Sequence, residues 1–225
     1  MSPSSRNLIA SFDENQLVIA LAKGKLLAPA LQWLSAASCT FSLAEVGSRK
    51  LVLATQEGGL RALLVKPQDV PIYVEYGIAD LGIVGKDILL ESEAEVFEPC
   101  DLGFGQCKVV VAGRATARLT DLRQRAVVRV GTKYPNISRR YFDRLGVQAE
   151  IIALQGSVEL SVLAGLAEVI VDIVETGATL RENGLIVLQE IVSSSARLIV
   201  NKASHKLKLF AIDQLLAKAA AAQTI

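Results

Sequence analysis

The sequence predicts an α/β protein that folds as two lobes, each built on a mostly parallel sheet. Short runs of Val, Ile and Leu alternate with helix-length amphipathic segments along the 225 residues, a pattern typical of strands that helices cover on both faces. About ten such runs occur, which is too many for one sheet in a chain of this size. Two smaller lobes fit better, and because no Pro-, Ser- or Gly-rich linker separates them, we expect strands to make the crossings.

The predicted strands follow the apolar runs in chain order. They cover residues 17–21, 51–55, 60–65, 81–84, 108–112, 127–131, 151–154, 169–174, 185–192 and 197–200. The predicted helices cover residues 26–37, 69–77 and 136–145, a segment from about 158, and a C-terminal segment from about 205 into the alanine tail. Asp69 is a plausible N-cap, and Gly77 and Gly146 are typical helix ends.

Composition excludes several classes of function. The chain is 51% hydrophobic and 21% charged, which excludes a disordered protein, and its net charge of +1 lacks the basic excess of a nucleic-acid coat. Aromatic residues make up 5%, too few for a single-strand stacking platform. No apolar run reaches the roughly 18 residues that a membrane span needs.

The cysteines and the N-terminus point to a cytoplasmic protein. Cys39, Cys100 and Cys107 form no CxxC pair, so we expect reduced, buried thiols, and with His205 they offer too few ligands for a zinc site. Residues 1–15 are polar and lack the basic start and apolar stretch of a signal peptide. We therefore expect this segment to be a frayed arm.

The most specific segment is EVIVDIVETGATL, residues 168–180. An apolar strand ends in two acids, Asp172 and Glu175, and runs into a small, hydroxyl-rich turn. Such a turn exposes backbone N–H groups that hold a phosphate, and the acids beside it accept hydrogen bonds from sugar hydroxyls. The segment therefore suits a ribose 5-phosphate. An ordinary strand–turn–helix with a threonine N-cap remains the alternative.

Basic residues lie near several strand ends. Lys23 and Lys25 flank Gly24 after the first strand, and Arg49 and Lys50 precede the second. Two further segments, 66–85 and 131–140, carry basic residues at similar places. Ligands of open α/β sheets bind at the carboxyl ends of strands, so these cations favour a polyanionic small substrate. Each pair alone is more often part of a solvated surface than of a site, and only their combination favours a substrate cleft.

The chain resembles the short-form catalytic subunit of ATP phosphoribosyltransferase, the first enzyme of histidine biosynthesis, over nearly its whole length. The resemblance rests on five ordered motifs, which match here at residues 23–25, 48–50, 67–85, 131–134 and 168–180. Ala22 stands where proline or serine is common, and Lys25 and Lys66 stand where arginine is common. Lysine retains the charge of arginine without its bidentate geometry.

The resemblance implies a fold like that of type II periplasmic binding proteins. Lobe one is expected to comprise residues 1–105 and 196–225, with ATP and the basic catalytic residues, and lobe two residues 106–195, with the phosphoribosyl pyrophosphate loop. A chain of this length is expected to lack the C-terminal regulatory domain of the long form. Short forms work with a regulatory subunit related to histidyl-tRNA synthetase, so the resemblance implies a hetero-octamer that contains dimers of the catalytic chain.

The implied reaction joins N1 of ATP to C1 of phosphoribosyl pyrophosphate and releases pyrophosphate. By resemblance, Lys25, Arg49 and Lys50 are the catalytic cations. The residues implied to bind phosphoribosyl pyrophosphate are Lys23, Asp172, Glu175, Thr176, Gly177, Ala178, Thr179 and Leu180. Those implied to bind ATP are Asp80, Gly82, Gly85 and Asp101. Mg²⁺ is the implied cofactor, held mainly by substrate oxygens with the help of Asp172 or Glu175.

Two other functions fit parts of the pattern. A non-catalytic, two-lobed ligand-binding protein would share the fold, although the sequence shows neither an export signal nor a DNA-reading helix pair. A salvage phosphoribosyltransferase acting on a free base would use a similar loop. Its two acids are typically adjacent, whereas Asp172 and Glu175 are three residues apart.

Overall fold

The computed structural model describes residues 16–223, which form two compact units. Unit 1 holds the described residues up to Leu89, Ala94–Gly105 and those from Ala196, and unit 2 holds Leu90–Glu93 and Gln106–Ser195. The arm predicted at residues 1–15 lies outside the described residues. Between residues 16 and 223, no helix combines the length and the apolar character needed to cross a membrane.

Strands and helices alternate along the described chain. The strands are β1 (Leu17–Ala22), β2 (Val52–Ala54), β3 (Leu60–Val65), β4 (Leu81–Gly85), β5 (Phe97–Asp101), β6 (Cys107–Arg114), β7 (Val128–Thr132), β8 (Ala149–Ala153), β9 (Val169–Val174), β10 (Leu185–Ser194) and β11 (Ala196–Val200). The helices are α1 (Leu27–Ala36), α2 (Leu43–Val46), α3 (Val70–Glu75), α4 (Lys86–Ser92), α5 (Leu119–Leu122), α6 (Pro135–Arg144), α7 (Glu159–Leu163), α8 (Ala178–Glu182), α9 (Lys202–Leu207) and α10 (Leu209–Gln223).

The unit 1 sheet has the strand order β2-β3-β1-β4-β11-β5. β1 pairs in parallel with β3 and β4, and β11 runs antiparallel between β4 and β5. The carboxyl ends of β3, β1, β4 and β5 therefore meet at one edge, here called the carboxyl edge of unit 1. All six residues of β1 are buried, and Trp33 and Leu34 of α1 join the core that covers this sheet.

The unit 2 sheet has the strand order β10-β6-β9-β7-β8. β7 pairs in parallel with β8 and β9, whereas β6 runs antiparallel to both β9 and β10. The ends of β7, β8 and β9 define the carboxyl edge of unit 2. A core that includes Val110, Ile170 and Leu180 packs beneath α7 and α8, so the segment after β9 starts from a rigid base.

The prediction of a two-lobed α/β fold is confirmed, with the difference that both sheets are mixed. β6 and β11 are the first strands of their units after the chain crosses at residues 105–106 and 195–196. Neither follows a helix of the unit that it joins, and parallel pairing of consecutive strands needs such a crossover. Both strands accordingly pair antiparallel with their neighbours.

A few elements differ from the sequence prediction. β5 was not predicted, because its sequence FEPCD contains a proline and two acids and alternates in exposure instead of forming an apolar run. Asp69 makes no side-chain cap hydrogen bond, since a 3₁₀ turn over Pro67–Asp69 leads directly into α3. The C-terminal helix begins earlier than expected, because the Asn201 side chain accepts hydrogen bonds from the backbone of Ala203 and Ser204, both at 2.9 Å.

Candidate active site

The segment after β9 forms a tight turn that opens α8. Gly177 has φ of 73°, in the left-handed region where a side chain is strained. Among the described residues, the N–H groups of Gly177, Thr179 and Leu180 have no intrachain acceptor, and that of Ala178 has only the Thr176 hydroxyl, at 3.4 Å. Several donors of one turn are thus available to an anion.

Asp172 lies just before this turn and is almost fully buried, at 8% exposure. Its Oδ1 accepts the N–H of Ile173 at 2.8 Å. Burial raises the pKa of the Asp172 carboxyl, and the nearby Lys133 opposes that shift. A carboxylate held in a largely dry position beside a turn with open N–H donors is suited to accept hydrogen bonds from hydroxyl groups.

The neighbouring strand β7 supplies the cation that faces Asp172. Lys133 follows β7 directly, and its Nζ lies 3.7 Å from Asp172 Oδ2. The hydroxyl of the preceding Thr132 donates to the Val171 carbonyl at 2.7 Å and accepts the Tyr134 N–H at 2.8 Å. Thr132 therefore fixes the end of β7 against β9 and orients the Lys133 backbone.

The second predicted acid, Glu175, is exposed at the start of the turn. Asp172 and Glu175 provide carboxylate oxygens, the donor type that Mg²⁺ prefers, usually as one or two carboxylates completed by substrate phosphates. Within the part of the chain that the structure describes, no group of three or more His, Cys, Asp or Glu residues could hold a metal ion. The donor set therefore fits a Mg²⁺ ion that depends on substrate oxygens.

The basic turn of unit 1 lies at its carboxyl edge. Lys23 and Lys25 are exposed and follow β1 on either side of Gly24, which has φ of 100°. The Lys23 N–H donates to the Val65 carbonyl at 2.8 Å, which holds this turn beside the end of β3. Two cations are thus fixed near the first turn of α1.

The segment that contains Arg49 and Lys50 reaches the same edge from β2. The Leu64 N–H donates to the Leu51 carbonyl at 2.8 Å, so β2 begins where β3 ends. Arg49 is exposed, and Lys50 Nζ pairs with Glu45 at the surface. Exposed ion pairs contribute little free energy, so a polyanion can replace Glu45 at small cost. Unit 1 therefore gathers four predicted cations at one edge.

The four residues implied to bind ATP do not lie together. Gly85 ends β4 and Asp101 ends β5, so both lie at the carboxyl edge of unit 1. Asp101 there binds Arg197 Nη2 at 2.9 Å through Oδ2 and accepts the Gly103 N–H through Oδ1, also at 2.9 Å. Gly82 is buried within β4. A Cβ at Gly82 would lie 2.8 Å from Val74 Cγ2, so this glycine lets α3 pack closely on the sheet.

Asp80 lies at the opposite, amino end of β4. Its carboxylate accepts hydrogen bonds from the Val18 N–H at 2.9 Å, the Ser204 hydroxyl at 2.6 Å and Lys208 Nζ at 3.0 Å. A buried carboxylate with three donors from the fold is already satisfied. The position of Asp80 argues against the expected contact with ATP. The same holds for Gly82, which is buried within β4.

An apolar groove of about 580 Å³ adjoins the basic turn of unit 1. It lies along the side of α1 that carries Leu27, Ala28 and Leu31, and Phe41 and Gly24 complete its lining. Sequence inspection did not reveal this groove, because its walls come from segments without an unusual pattern.

Two charged residues near the turn at Gly177 lie outside the sequence motifs, so the sequence analysis did not indicate them. Arg181 Nη1 donates to the Thr176 carbonyl at 3.0 Å, so its guanidinium lies over the turn. Glu159, at the start of α7, acts on the Asp172 carboxyl electrostatically and raises its pKa. Their proximity depends on how α7 and α8 pack, which spacing alone does not show.

Comparison with known proteins identifies this arrangement. Residues 66–221 match the family model HisG, ATP phosphoribosyltransferase. An ATP phosphoribosyltransferase of Thermoanaerobacter sp. (strain X514) is 52% identical over 200 residues, 89% of this chain and 92% of the relative. The ATP phosphoribosyl transferase (HisG:HisZ) complex from Thermotoga maritima contains a chain that is 32% identical, with a TM-score of 0.80 over 92% of this chain and 98% of that one. The periplasmic aliphatic sulphonate binding protein SsuA from Escherichia coli, 13% identical with a TM-score of 0.57 over 93% of this chain and 73% of that one, shares the fold alone.

Proposed function

The chain belongs to the ATP phosphoribosyltransferase family, which catalyses the first step of histidine biosynthesis, and from this premise we propose how its residues perform that transfer. The reaction joins N1 of ATP to C1 of phosphoribosyl pyrophosphate and releases pyrophosphate. The observation that carries the proposal is the turn at Gly177, whose open N–H groups follow the buried carboxylate of Asp172.

Unit 2 binds the phosphoribosyl group. The N–H groups of residues 177–180 and the hydroxyls of Thr176 and Thr179 hold the 5-phosphate. Asp172 accepts hydrogen bonds from the ribose hydroxyls, and its ion pair with Lys133, at 3.7 Å, favours the charged form that accepts best. Leu180 is buried and anchors the turn in the core.

Unit 1 stabilises the leaving pyrophosphate. As the C1–O bond breaks, positive charge develops on the ribose ring and negative charge on the departing oxygens. Lys25, Arg49 and Lys50, with the help of Lys23, present cations at one edge where that charge forms. No general base is required, because N1 of adenine carries no proton at neutral pH.

Mg²⁺ fits this chemistry as a cofactor held mainly by the substrate. Asp172 or Glu175 would hold it together with ribose and pyrophosphate oxygens. When bound, it would supply positive charge that lowers the cost of the leaving pyrophosphate. The protein then needs no closed metal site of its own.

ATP binds to unit 1 at the carboxyl edge. The apolar groove beside Gly24 offers the purine ring a surface that includes Phe41, and Gly85 and Asp101 lie at the same edge. Replacing Leu31 with Trp fills the groove, so we expect a higher KM for ATP and an unchanged affinity for phosphoribosyl pyrophosphate. An unchanged KM for ATP would remove the groove from the site.

A regulatory partner completes the proposed assembly. The similar Thermotoga maritima structure is a HisG:HisZ complex, which supports a hetero-oligomer of this chain with a HisZ-like protein related to histidyl-tRNA synthetase. We propose that the two form a hetero-octamer that contains dimers of the catalytic chain, and that the chain acts in the cytoplasm. Light scattering of the chain alone and mixed with the partner tests both stoichiometries.

Ribose 5-phosphate tests the proposed role of unit 2 separately from that of unit 1. It carries the 5-phosphate and the ribose hydroxyls but no pyrophosphate, so it should bind through unit 2 alone. Thr179→Val should weaken its binding about tenfold, as expected for a lost hydrogen bond to a charged group, whereas Lys25→Met should leave it unchanged. Calorimetry that shows equal losses in both variants would contradict the division of roles.

A further inference from the structure

A second concentration of positive charge lies in unit 2, at the amino edge of its sheet. Five arginines fall within residues 114–129, and four of them line one hollow of about 340 Å³. The four are Arg114, Arg118, Arg125 and Arg129. Among the described residues that line the hollow, Glu168 is the only acid. At neutral pH the lining therefore carries a formal charge of +3, four guanidinium groups against one carboxylate.

The hollow is remote from the phosphate turn. Glu168 and Arg129 stand at the beginnings of β9 and β7, where the Glu168 N–H donates to the Arg129 carbonyl at 3.0 Å. The turn at Gly177 follows the other end of β9, and a six-residue strand spans about 20 Å. Arg114 reaches the hollow because β6 runs antiparallel to β9 and ends at this edge. A ligand in the hollow thus cannot be one bound at the turn.

Two of the guanidinium groups are held in place. Arg129 Nη2 and Nε bind Glu168 Oε1 at 2.6 and 3.1 Å, and Glu168 Oε2 accepts the Arg129 N–H at 2.7 Å. Arg114 Nη2 donates to the carbonyls of Val162 and Leu163 at 3.2 and 3.3 Å, at the end of α7. Arginines that are ordered before a ligand arrives lose less side-chain entropy on binding it.

Glu168 compensates only part of this charge. Its carboxylate is committed to Arg129, and Arg125 Nη1 lies farther away, at 3.8 Å. Like charges around one hollow repel each other, and an anion with several oxygens relieves that repulsion through charge-assisted, forked hydrogen bonds. Lysine would supply charge without the fork, whereas the guanidinium fork matches the geometry of phosphate oxygens, and four of them suit an anion of several charges.

We propose that this arginine hollow is a second anion site, which binds a multivalent phosphate such as pyrophosphate or the phosphate chain of a nucleotide. The hollow admits a diphosphate. Its arginines come from the end of β6, the segment that connects β6 to β7 and the start of β7, so the site exists only in the folded unit.

The test is calorimetric titration with pyrophosphate of the full chain that carries Lys25→Met and Arg49→Met, which removes two cations of the proposed catalytic site. Phosphoribosyl pyrophosphate is left out, because its own diphosphate would compete for the hollow, so the pyrophosphate binding that remains in this variant reports another site. We expect one such site per chain, and we expect the double variant Arg118→Gln, Arg125→Gln to weaken it at least about tenfold. The control Arg139→Gln removes an exposed arginine of α6 that does not line the hollow, and it should bind like the wild type.

Two further arms complete the experiment. Competition by AMP, compared with inorganic phosphate, distinguishes a nucleotide from a free phosphate as the source of the ligand, and competition by either one at the same site supports the proposal. Adding Gly177→Val to the same variants keeps the result independent of the turn after β9 as well. Absence of pyrophosphate binding in the wild type, or equal binding in the double variant and the Arg139 control, would overturn the proposal.

Discussion

Lys133 Nζ lies 3.7 Å from the carboxylate of Asp172; Lys133 follows β7, and Asp172 lies within β9, the adjacent parallel strand. The pair combines a buried acid with a half-exposed cation, since the Lys133 side chain is 38% exposed and that of Asp172 11%. Burial of Asp172 opposes ionisation and Lys133 favours it. The charge of the proposed ribose acceptor therefore depends on its neighbour.

Asp172→Asn should stabilise the protein at neutral pH while weakening phosphoribosyl pyrophosphate binding. Burial raises the pKa of Asp172 in the folded state, so its contribution to stability is present below the unfolded-state pKa of about 3.9 and is lost as the pH rises through the folded-state pKa. The asparagine cannot ionise and avoids that loss. Urea unfolding between about pH 4 and 8 should show an advantage of the variant that shrinks toward acid.

The matched control for this experiment is Asp143→Asn, at an exposed position of α6. It changes the same chemical group without changing a buried charge, so its stability should follow that of the wild type at each pH. An advantage of Asp172→Asn that grows as the pH falls would contradict the sign of the shift.

Gly177→Val should abolish binding of phosphoribosyl pyrophosphate. Its φ of 73° strains any side chain, and a Cβ there would lie 3.0 Å from Arg181 Nη1, the group that lies over the turn. Gly146→Val is the control, because Gly146 has φ of 66° with nothing within 4 Å of its Cβ position. Both variants should lose about 1 to 2 kcal/mol of stability from the backbone strain. If calorimetry shows that Gly177→Val still binds phosphoribosyl pyrophosphate like the wild type, the turn is not part of the binding site.

Asp80→Ala should destabilise the fold and spare ATP binding. The change leaves the Val18 N–H and the Ser204 hydroxyl without their acceptor, and Lys208 Nζ retains only the Gln16 carbonyl, at 3.1 Å. Removal of a buried, hydrogen-bonded carboxylate costs about 2 to 4 kcal/mol. Urea unfolding measures this loss, and steady-state kinetics on the folded variant measures KM for ATP. Normal stability with a raised KM would restore Asp80 to the ATP site.

Arg49→Ala should lower kcat more than it raises either KM. The charge on the departing pyrophosphate is greatest in the transition state, and a lost contact there costs about 2 to 4 kcal/mol by analogy with oxyanion-hole donors. The control Arg144→Ala removes an exposed arginine at the end of α6 and should leave kcat unchanged. A tenfold rise in KM, as an order-of-magnitude threshold, with constant kcat would make Arg49 a binding residue only.

The features that could be predicted from sequence are those encoded in short segments. The order of acids, threonines and Gly177 after an apolar run indicates a phosphate turn, because strand, turn and helix are contiguous. The hydrogen bonds of Asp80 could not be predicted, since its partners Ser204 and Lys208 are 124 and 128 residues away. The role of Gly82 is hidden in the sequence for a similar reason. Helix α3 packs where a Gly82 side chain would lie, and this contact is visible only in the folded structure.

The arginine hollow is a second feature that could not be predicted from the sequence. Its arginines lie close together in the sequence, yet nothing in their spacing reveals that the end of β6, the segment before β7 and the start of β7 converge on one place. The strand pairing of β6, β9 and β7 brings them together. Predicting charge clusters of this kind requires knowledge of the strand order in the sheet.

The measurement that tests the central claim most directly is release of pyrophosphate by the purified chain with phosphoribosyl pyrophosphate and either ATP or free adenine. The proposed site predicts turnover with ATP that requires Mg²⁺ and increases when the HisZ-like partner is added, with the phosphoribosyl group attached to N1 of the product. Adenine should give no turnover. Turnover with adenine in place of ATP, or saturable binding of both substrates without any pyrophosphate release, would contradict the account.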